Sequence, residues 1–220
     1  MRIALWLVSW IPLSLAVSLA CAAKPAGKED PSVPAKLQQF RDEFIKNFKR
    51  IGLNTTPGDA MFLRIMIEAC GAKRGIEVGT ATGYGAINMG QAFEQNGGHL
   101  TSIDIDPKMV AAARENVARM KLDKTVTVVE GDALKVLGSL EGEYDFIFID
   151  AVKKDYLKYL QLVEPKLKPG AVIVADNVIR SARQMQDFLD KVTNDPAYHT
   201  VIIQASQEKH DGMAVIYKVK

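Results

Sequence analysis

The chain has 220 residues, 28 Lys plus Arg against 26 Asp plus Glu, and 48% apolar residues, a balance that suits one α/β domain with a single core. A formal net charge of +2 excludes a strongly basic nucleic-acid binder, which needs a clustered cationic excess to neutralise phosphates. Two cysteines, Cys21 and Cys70, are too few for a disulfide scaffold.

Arg2 is the one charged residue among the first 23, and both tryptophans, Trp6 and Trp10, lie there. A short positive start, an apolar run over 3–20 and the small residues Ala20-Cys21-Ala22-Ala23 resemble a secretory signal cleaved after Ala22. Cys21 also invites a lipoprotein reading, although Ser18-Leu19-Ala20 departs from that pattern. A run of about 20 apolar residues is just long enough to remain as an anchor. The expectation is therefore export or membrane association through residues 1–23, with the face carrying the rest of the chain left open. Residues 24–34, rich in Pro and charge, read as a linker, and 35–220 as the folded domain.

Leu37, Phe40, Phe44, Phe48 and Ile51 recur at three- and four-residue spacing, which predicts a core-covering helix beginning near Ala35. A second helix is predicted over 59–70, stopped by Gly71, with Cys70 as a small buried hydrophobe. From Gly75 onward short apolar runs alternate with amphipathic ones, the signature of βα units and a parallel sheet. The strands read as 75–78, 100–104, 126–130, 144–150, 171–176, 198–205 and 213–219. The last two are joined by a turn around His210-Asp211-Gly212 and should pair antiparallel. Ligands of such open sheets bind beyond the carboxyl ends of the strands, so the residues that follow each strand are the candidates.

The first strand runs into Glu77-Val78-Gly79-Thr80-Ala81-Thr82-Gly83-Tyr84-Gly85, a glycine-rich turn that lets backbone approach a ligand closely. Its glycines follow G-x-x-x-G-x-G rather than the dinucleotide G-x-G-x-x-G, which suits a ligand without phosphates. Asp104 stands at the tip of the next strand, where a carboxylate can accept both ribose hydroxyls. Asp106, by contrast, is placed to cap the helix that starts at Pro107. The third strand contributes Glu130-Gly131-Asp132-Ala133, a place for an adenine ring.

Glu77 through Gly85, Asp104 and the strand pattern together resemble the Rossmann-like S-adenosylmethionine-dependent methyltransferases. Tyr144 through Lys153 followed by Ala175-Asp176-Asn177-Val178 narrows the likeness to the divalent-metal-dependent O-methyltransferases, the group holding catechol O-methyltransferase and caffeoyl-CoA O-methyltransferase. The resemblance runs from Pro57 to the C-terminus. The residues support the match independently: if the strands ending at Asp150 and at Asp176-Asn177 are neighbours, their ends lie about 5 Å apart and present three oxygen donors to a hard cation such as Mg²⁺. Lys153, one helical turn past Asp150, could then serve as general base toward a bound phenol.

The resemblance implies an α/β fold with a seven-stranded, mostly parallel sheet, helices on both faces and an antiparallel last strand. It implies S-adenosylmethionine and Mg²⁺ or another divalent cation as cofactors, and a small catechol-like or phenolic acceptor. Lys153 corresponds to the catalytic base, and Asp150, Asp176 and Asn177 to the metal ligands. Glu77, Gly79, Thr80, Gly83, Tyr84, Asp104, Gly131, Asp132, Ala133 and Asp150 correspond to the donor site. Glu208 corresponds to an acid facing the non-reacting hydroxyl, and reads equally as an ordinary charge beside a turn. Val152 and Arg180-Ser181 depart from the animal catechol enzyme, so the aromatic walls that clamp its catechol ring are either missing here or supplied elsewhere. The short stretch between Asn177 and Asp211 disfavours a bulky CoA ester. Three alternatives stay open on sequence: a methyltransferase acting on another hydroxyl or a nitrogen, a dinucleotide-dependent oxidoreductase, and a non-catalytic exported binding module. No nucleic-acid partner is expected, and the oligomer is a monomer or homodimer.

Overall fold

The computed structural model describes residues 35–206 and 208–220. The expected signal or anchor over 1–23 and the linker over 24–34 lie outside the described residues. Among the described residues no helix is long and apolar enough to cross a membrane.

Two helices, α1 (Ala35–Lys46) and α2 (Pro57–Cys70), precede the alternating part. There follow β1 (Arg74–Val78), α3 (Tyr84–Gln95), β2 (His99–Asp104), α4 (Pro107–Arg119), β3 (Val126–Glu130), α5 (Ala133–Ser139), β4 (Tyr144–Ile149), α6 (Tyr156–Val163), β5 (Leu167–Ala175), α7 (Gln186–Asn194), β6 (Tyr198–Ser206) and β7 (Asp211–Lys218). The sheet order is β3-β2-β1-β4-β5-β7-β6. The first five strands pair in parallel, and β7 runs antiparallel to both β5 and β6. The order reverses between β1 and β4, which is where an open α/β sheet leaves its ligand crevice.

Along β4, Phe146 and Phe148 enter one core while Ile147 and Ile149 enter the other. Burial on both faces explains why the strand reads as a continuous apolar run instead of an alternating one. The first core lies under α2, α3 and α4, with Leu63, Ile67, Ile87, Phe93 and Val110. The second lies under α5, α6 and α7, with Leu137, Tyr156, Leu160 and Phe188.

Three local expectations are corrected. Helix α1 stops at Lys46, so Phe48 and Ile51 fall beyond it, and its deepest residue is Arg41. That guanidinium is tolerated because Glu94 and the carbonyls of Met120 and Lys121 accept its hydrogen bonds, as a buried charge requires. Helix α2 begins two residues earlier than read, at Pro57, because Thr56 Oγ1 accepts the Asp59 N–H and Pro57 occupies the first turn, a cap worth about 1 kcal/mol. Cys70 is exposed: it is the last residue of α2, three past Ile67, where the buried stripe ends, and its Sγ donates to Ile67 O at 3.6 Å. Gly71 takes the left-handed conformation that ends the helix, with φ +64°.

Candidate active site

The carboxyl ends of five parallel strands form a continuous row. Gly131 donates its N–H to Asp104 O at 2.9 Å, Gly79 to Ile103 O at 2.9 Å, Asp150 to Val78 O at 2.8 Å and Asp176 to Ile149 O at 3.0 Å. The sequence candidates after each strand are therefore neighbours in space. Gly79 is required by this crowding: its φ is +100°, and a Cβ there would stand 2.1 Å from Asp150 O. Over the row opens a cavity of about 660 Å³, lined among others by Gly79, Asp104, Gly131, Asp132, Ala133, Asp150, Lys153 and Asn177.

On the β2 side, Asp104 Oδ2 accepts the Ala81 N–H at 2.8 Å and Oδ1 the Asp106 N–H at 3.0 Å. Both oxygens are thus held in place at the cavity wall, and each keeps a lone pair for a ribose hydroxyl. Asp106 caps α4 through the Lys108 N–H. Asp132 caps α5 through the Leu134 N–H while also lining the cavity. Ile103, Ile105, Leu134 and Tyr159 supply apolar wall.

On the β4–β5 side, Lys153 Nζ donates to Asp150 Oδ1 at 2.7 Å and to the Tyr156 hydroxyl at 2.8 Å. The Tyr156 hydroxyl donates a hydrogen bond to the Asp176 backbone carbonyl at 3.2 Å, and burial first, then the charges of Asp150 and Asp176, push that phenol well above its usual range. Asp176 is fully buried; one oxygen accepts the Asn177 N–H, while Oδ2 has no partner. Burial, reinforced by the Asp150 charge, raises the Asp176 carboxyl to about 7.

An unpaired buried carboxylate oxygen costs free energy unless something satisfies it. A hard divalent cation would, and Asp150, Asp176 and Asn177 supply carboxylate and amide oxygens of the type it prefers. No cluster of three or more His, Cys, Asp or Glu ligands occurs among the described residues, so the set amounts to two carboxylates and an amide, with room left for exogenous oxygens. Asn177 adopts φ +61°, and its Nδ2 donates to Asp211 Oδ2 at 3.2 Å.

The remaining candidates are placed otherwise. Glu77 is buried and accepts a short hydrogen bond from Ser102, whose hydroxyl also meets Thr80 Oγ1 at 2.5 Å. Burial raises the Glu77 carboxyl to about 8, with Asp150 and Asp104 adding to the shift and Ser102 opposing it. Thr80 serves this buried network, and Gly83 permits the close packing of α3 on α4, where a Cβ would stand 3.0 Å from Ala113 Cα. Tyr84 packs on Phe48 at 5.0 Å, under Arg50. None of Glu77, Thr80, Gly83 and Tyr84 lines the cavity. Neither does Glu208, whose carboxylate pairs with Arg50 at 3.1 Å across the loops flanking the mouth.

Sequence reasoning missed Tyr156, Asp211 and the wall residues Leu53 and Lys209. Tyr156 could have been found, since it lies three residues beyond Lys153 at the start of a helix. Leu53 and Lys209 carry no local signal, because loops distant in sequence bring them to the cavity.

A family model described as O-methyltransferase matches residues 29–208. A catechol O-methyltransferase from Niastella koreensis is 33% identical over 184 residues, covering 74% of this chain and 81% of that protein. A catechol O-methyltransferase from Mycobacterium tuberculosis is 33% identical over 153 residues, covering 69% of this chain and 67% of its own. In fold, the chain superposes on the Bacillus cereus O-methyltransferase, solved in complex with SAH, with TM-score 0.73 at 24% identity, covering 86% of this chain and 94% of that one. With the strand-end row and the cavity above it, these likenesses establish that the chain belongs to the O-methyltransferase family, as an S-adenosylmethionine-dependent enzyme of the catechol and caffeoyl-CoA type.

Proposed function

We propose that this enzyme methylates one hydroxyl of a small catechol-like phenol with the help of a divalent cation of the Mg²⁺ class. The observation that carries the reading is the unpartnered Asp176 Oδ2, buried beside Asp150 and Asn177, which themselves line the cavity with Lys153 and Asp104. A bound cation would polarise the acceptor hydroxyl toward its phenolate.

The chain's own residues do the rest. Asp104 orients the donor through its ribose, and the glycine turn at Gly79 lets the donor lie against backbone. Lys153, positioned by Asp150 Oδ1 and the Tyr156 hydroxyl, takes the acceptor hydroxyl proton at Nζ in its neutral amine form, since an ammonium has no lone pair to accept one. The acceptor oxygen then attacks the methyl carbon while the C–S bond breaks. Holding the two in near-attack geometry supplies several kcal/mol of the barrier reduction. Leu53 and Val152, 70% and 50% exposed at the cavity rim, offer apolar walls.

The test is donor consumption against a panel of catechols, flavonoids and hydroxycinnamates, with Mg²⁺ and with EDTA. Turnover of vicinal diols that is lost in EDTA and restored by Mg²⁺ is expected. Full turnover in EDTA would sink the cation, and turnover confined to amines or to isolated hydroxyls would sink the acceptor class.

A further inference from the structure

We infer that Asp211 is a positioning residue for the cation site, fixing the Asn177 side-chain amide so that its carbonyl oxygen, not its NH₂, is offered to the cavity. The inference rests on the cation reading proposed above. Asp211 opens β7 and is 3% exposed. Its Oδ2 accepts from Asn177 Nδ2 at 3.2 Å, and its Oδ1 accepts the backbone N–H groups of Ile179 at 3.2 Å, Arg180 at 3.0 Å and Gly212 at 2.8 Å.

An ionised carboxylate can only accept hydrogen bonds, whereas an asparagine amide has an accepting end and a donating end of nearly the same shape. Turned over by half a rotation, the Asn177 amide would present N–H groups to a cation and repel it. The Asp211 carboxylate removes that alternative by binding the NH₂ end. Oδ1 is then the end left for the cavity, which Asn177 lines.

The same carboxylate also fixes the backbone that carries Asn177. It gathers the N–H groups of the turn after β5, and Val178 donates to Gly212 O at 3.0 Å. Asn177 sits in the left-handed region, φ +61°, which a non-glycine residue holds only when its surroundings stabilise it. Partners that orient a metal ligand in this way typically change metal affinity by 10–100-fold when removed.

The test uses the full-length chain and Mn²⁺, whose binding is read from the loss of the free-ion EPR signal and needs no turnover. In Asp211→Asn the turn keeps an oxygen acceptor while the group facing Asn177 becomes an NH₂. The amide is expected to turn over and Mn²⁺ affinity to fall about tenfold or more. Exchanging the pair, Asn177→Asp with Asp211→Asn, returns one donor and one acceptor to the contact and an oxygen to the cavity, so most of the lost affinity should return. A role confined to the turn would lower the melting temperature of Asp211→Asn and leave Mn²⁺ affinity unchanged; that result, or a folded exchange variant without recovery, overturns the inference. Should Asp211→Asn not fold, the wild-type chain decides by NMR. The Asn177 side-chain amide protons, assigned by their loss in Asn177→Asp, should exchange slowly with solvent, and fast exchange overturns the inference. A wild-type chain that binds no Mn²⁺ would overturn the cation reading itself, and this inference with it.

Discussion

Gly79 and Asp150 approach so closely that a single added carbon cannot fit between them: a Cβ on Gly79 would stand 2.1 Å from the Asp150 carbonyl oxygen. The obstacle is backbone, which β4 holds in register with β1, and the φ of +100° at Gly79 disfavours any side chain as well. Gly79→Ala is therefore expected to lower stability by about 2 kcal/mol or more and to displace Asp150 from its place over the cavity. Thermal melting and donor titration check this together. A variant with wild-type melting and wild-type donor affinity would show that the row of strand ends can spread without loss.

Lys153→Ala separates proton transfer from binding. Its Nζ touches Asp150 and Tyr156, and neither contact is to Asp104, the residue proposed to orient the donor. The variant is expected to lose about 10²-fold or more in kcat, the usual contribution of a general base, with donor affinity within a few-fold of wild type. An unchanged kcat would remove Lys153 from the chemistry.

Much of the site was legible because the carboxyl end of each parallel strand can be located from the sequence. Asp104, Gly131, Asp150, Asp176 and Asn177 stand where the strand pattern placed them, and β4 and β5 are neighbours, as the convergence of their acidic ends required. What stayed hidden depends on side-chain direction and on contacts distant in sequence. A motif places Glu77 and Thr80 beside the ligand turn, yet period-two alternation sends Glu77 inward to Ser102, 25 residues on. Glu208 reads as an acid near the cavity, but the pairing that decides its direction is with Arg50, 158 residues away. The position of β7 between β5 and β6 likewise has no local signature, since a hairpin reads the same whichever of its strands lies inside.

The expected N-terminal signal or anchor has an optical test. Trp6 and Trp10 are the only tryptophans of the chain, so protein purified from its native cell should lack tryptophan emission if residues 1–23 are removed, and should show it only with membranes if they are kept. Tryptophan emission from a detergent-free soluble fraction would defeat both.

Cation affinity should depend on pH through Asp176. Its carboxyl, raised to about 7 chiefly by burial, holds a proton below that pH, and a cation must displace it. Mn²⁺ or Mg²⁺ affinity is expected to strengthen by up to about tenfold per unit as pH rises toward 7 and to level off above it. Titrations at pH 5.5, 6.5, 7.5 and 8.5 trace the curve. A flat profile across that range would detach Asp176 from the cation.

Glu77 predicts an opposite slope for the stability of the cation-free, donor-free protein. Burial raises its folded value to about 8, against an ordinary 4.5. Between those values the unfolded chain has released the proton and the folded chain still holds it, so stability falls as pH rises. The contribution is complete below about 4.5 and is lost by about 8. Asp176 adds the same sign of slope between its ordinary 3.8 and about 7, so the wild-type slope alone does not identify Glu77. The comparison with Glu77→Gln does. The amide is neutral at every pH, as the protonated acid is, and Ser102 can still donate to its oxygen, so the two proteins should melt at similar temperatures near pH 5. Toward pH 8 the wild-type melting temperature should drop below that of Glu77→Gln, with the gap opening mainly between pH 5 and 8. Two melting profiles that run parallel across this range would mean that Glu77 ionises in the folded chain as easily as in the unfolded one, and that its enclosure with Ser102 and Thr80 is open to water.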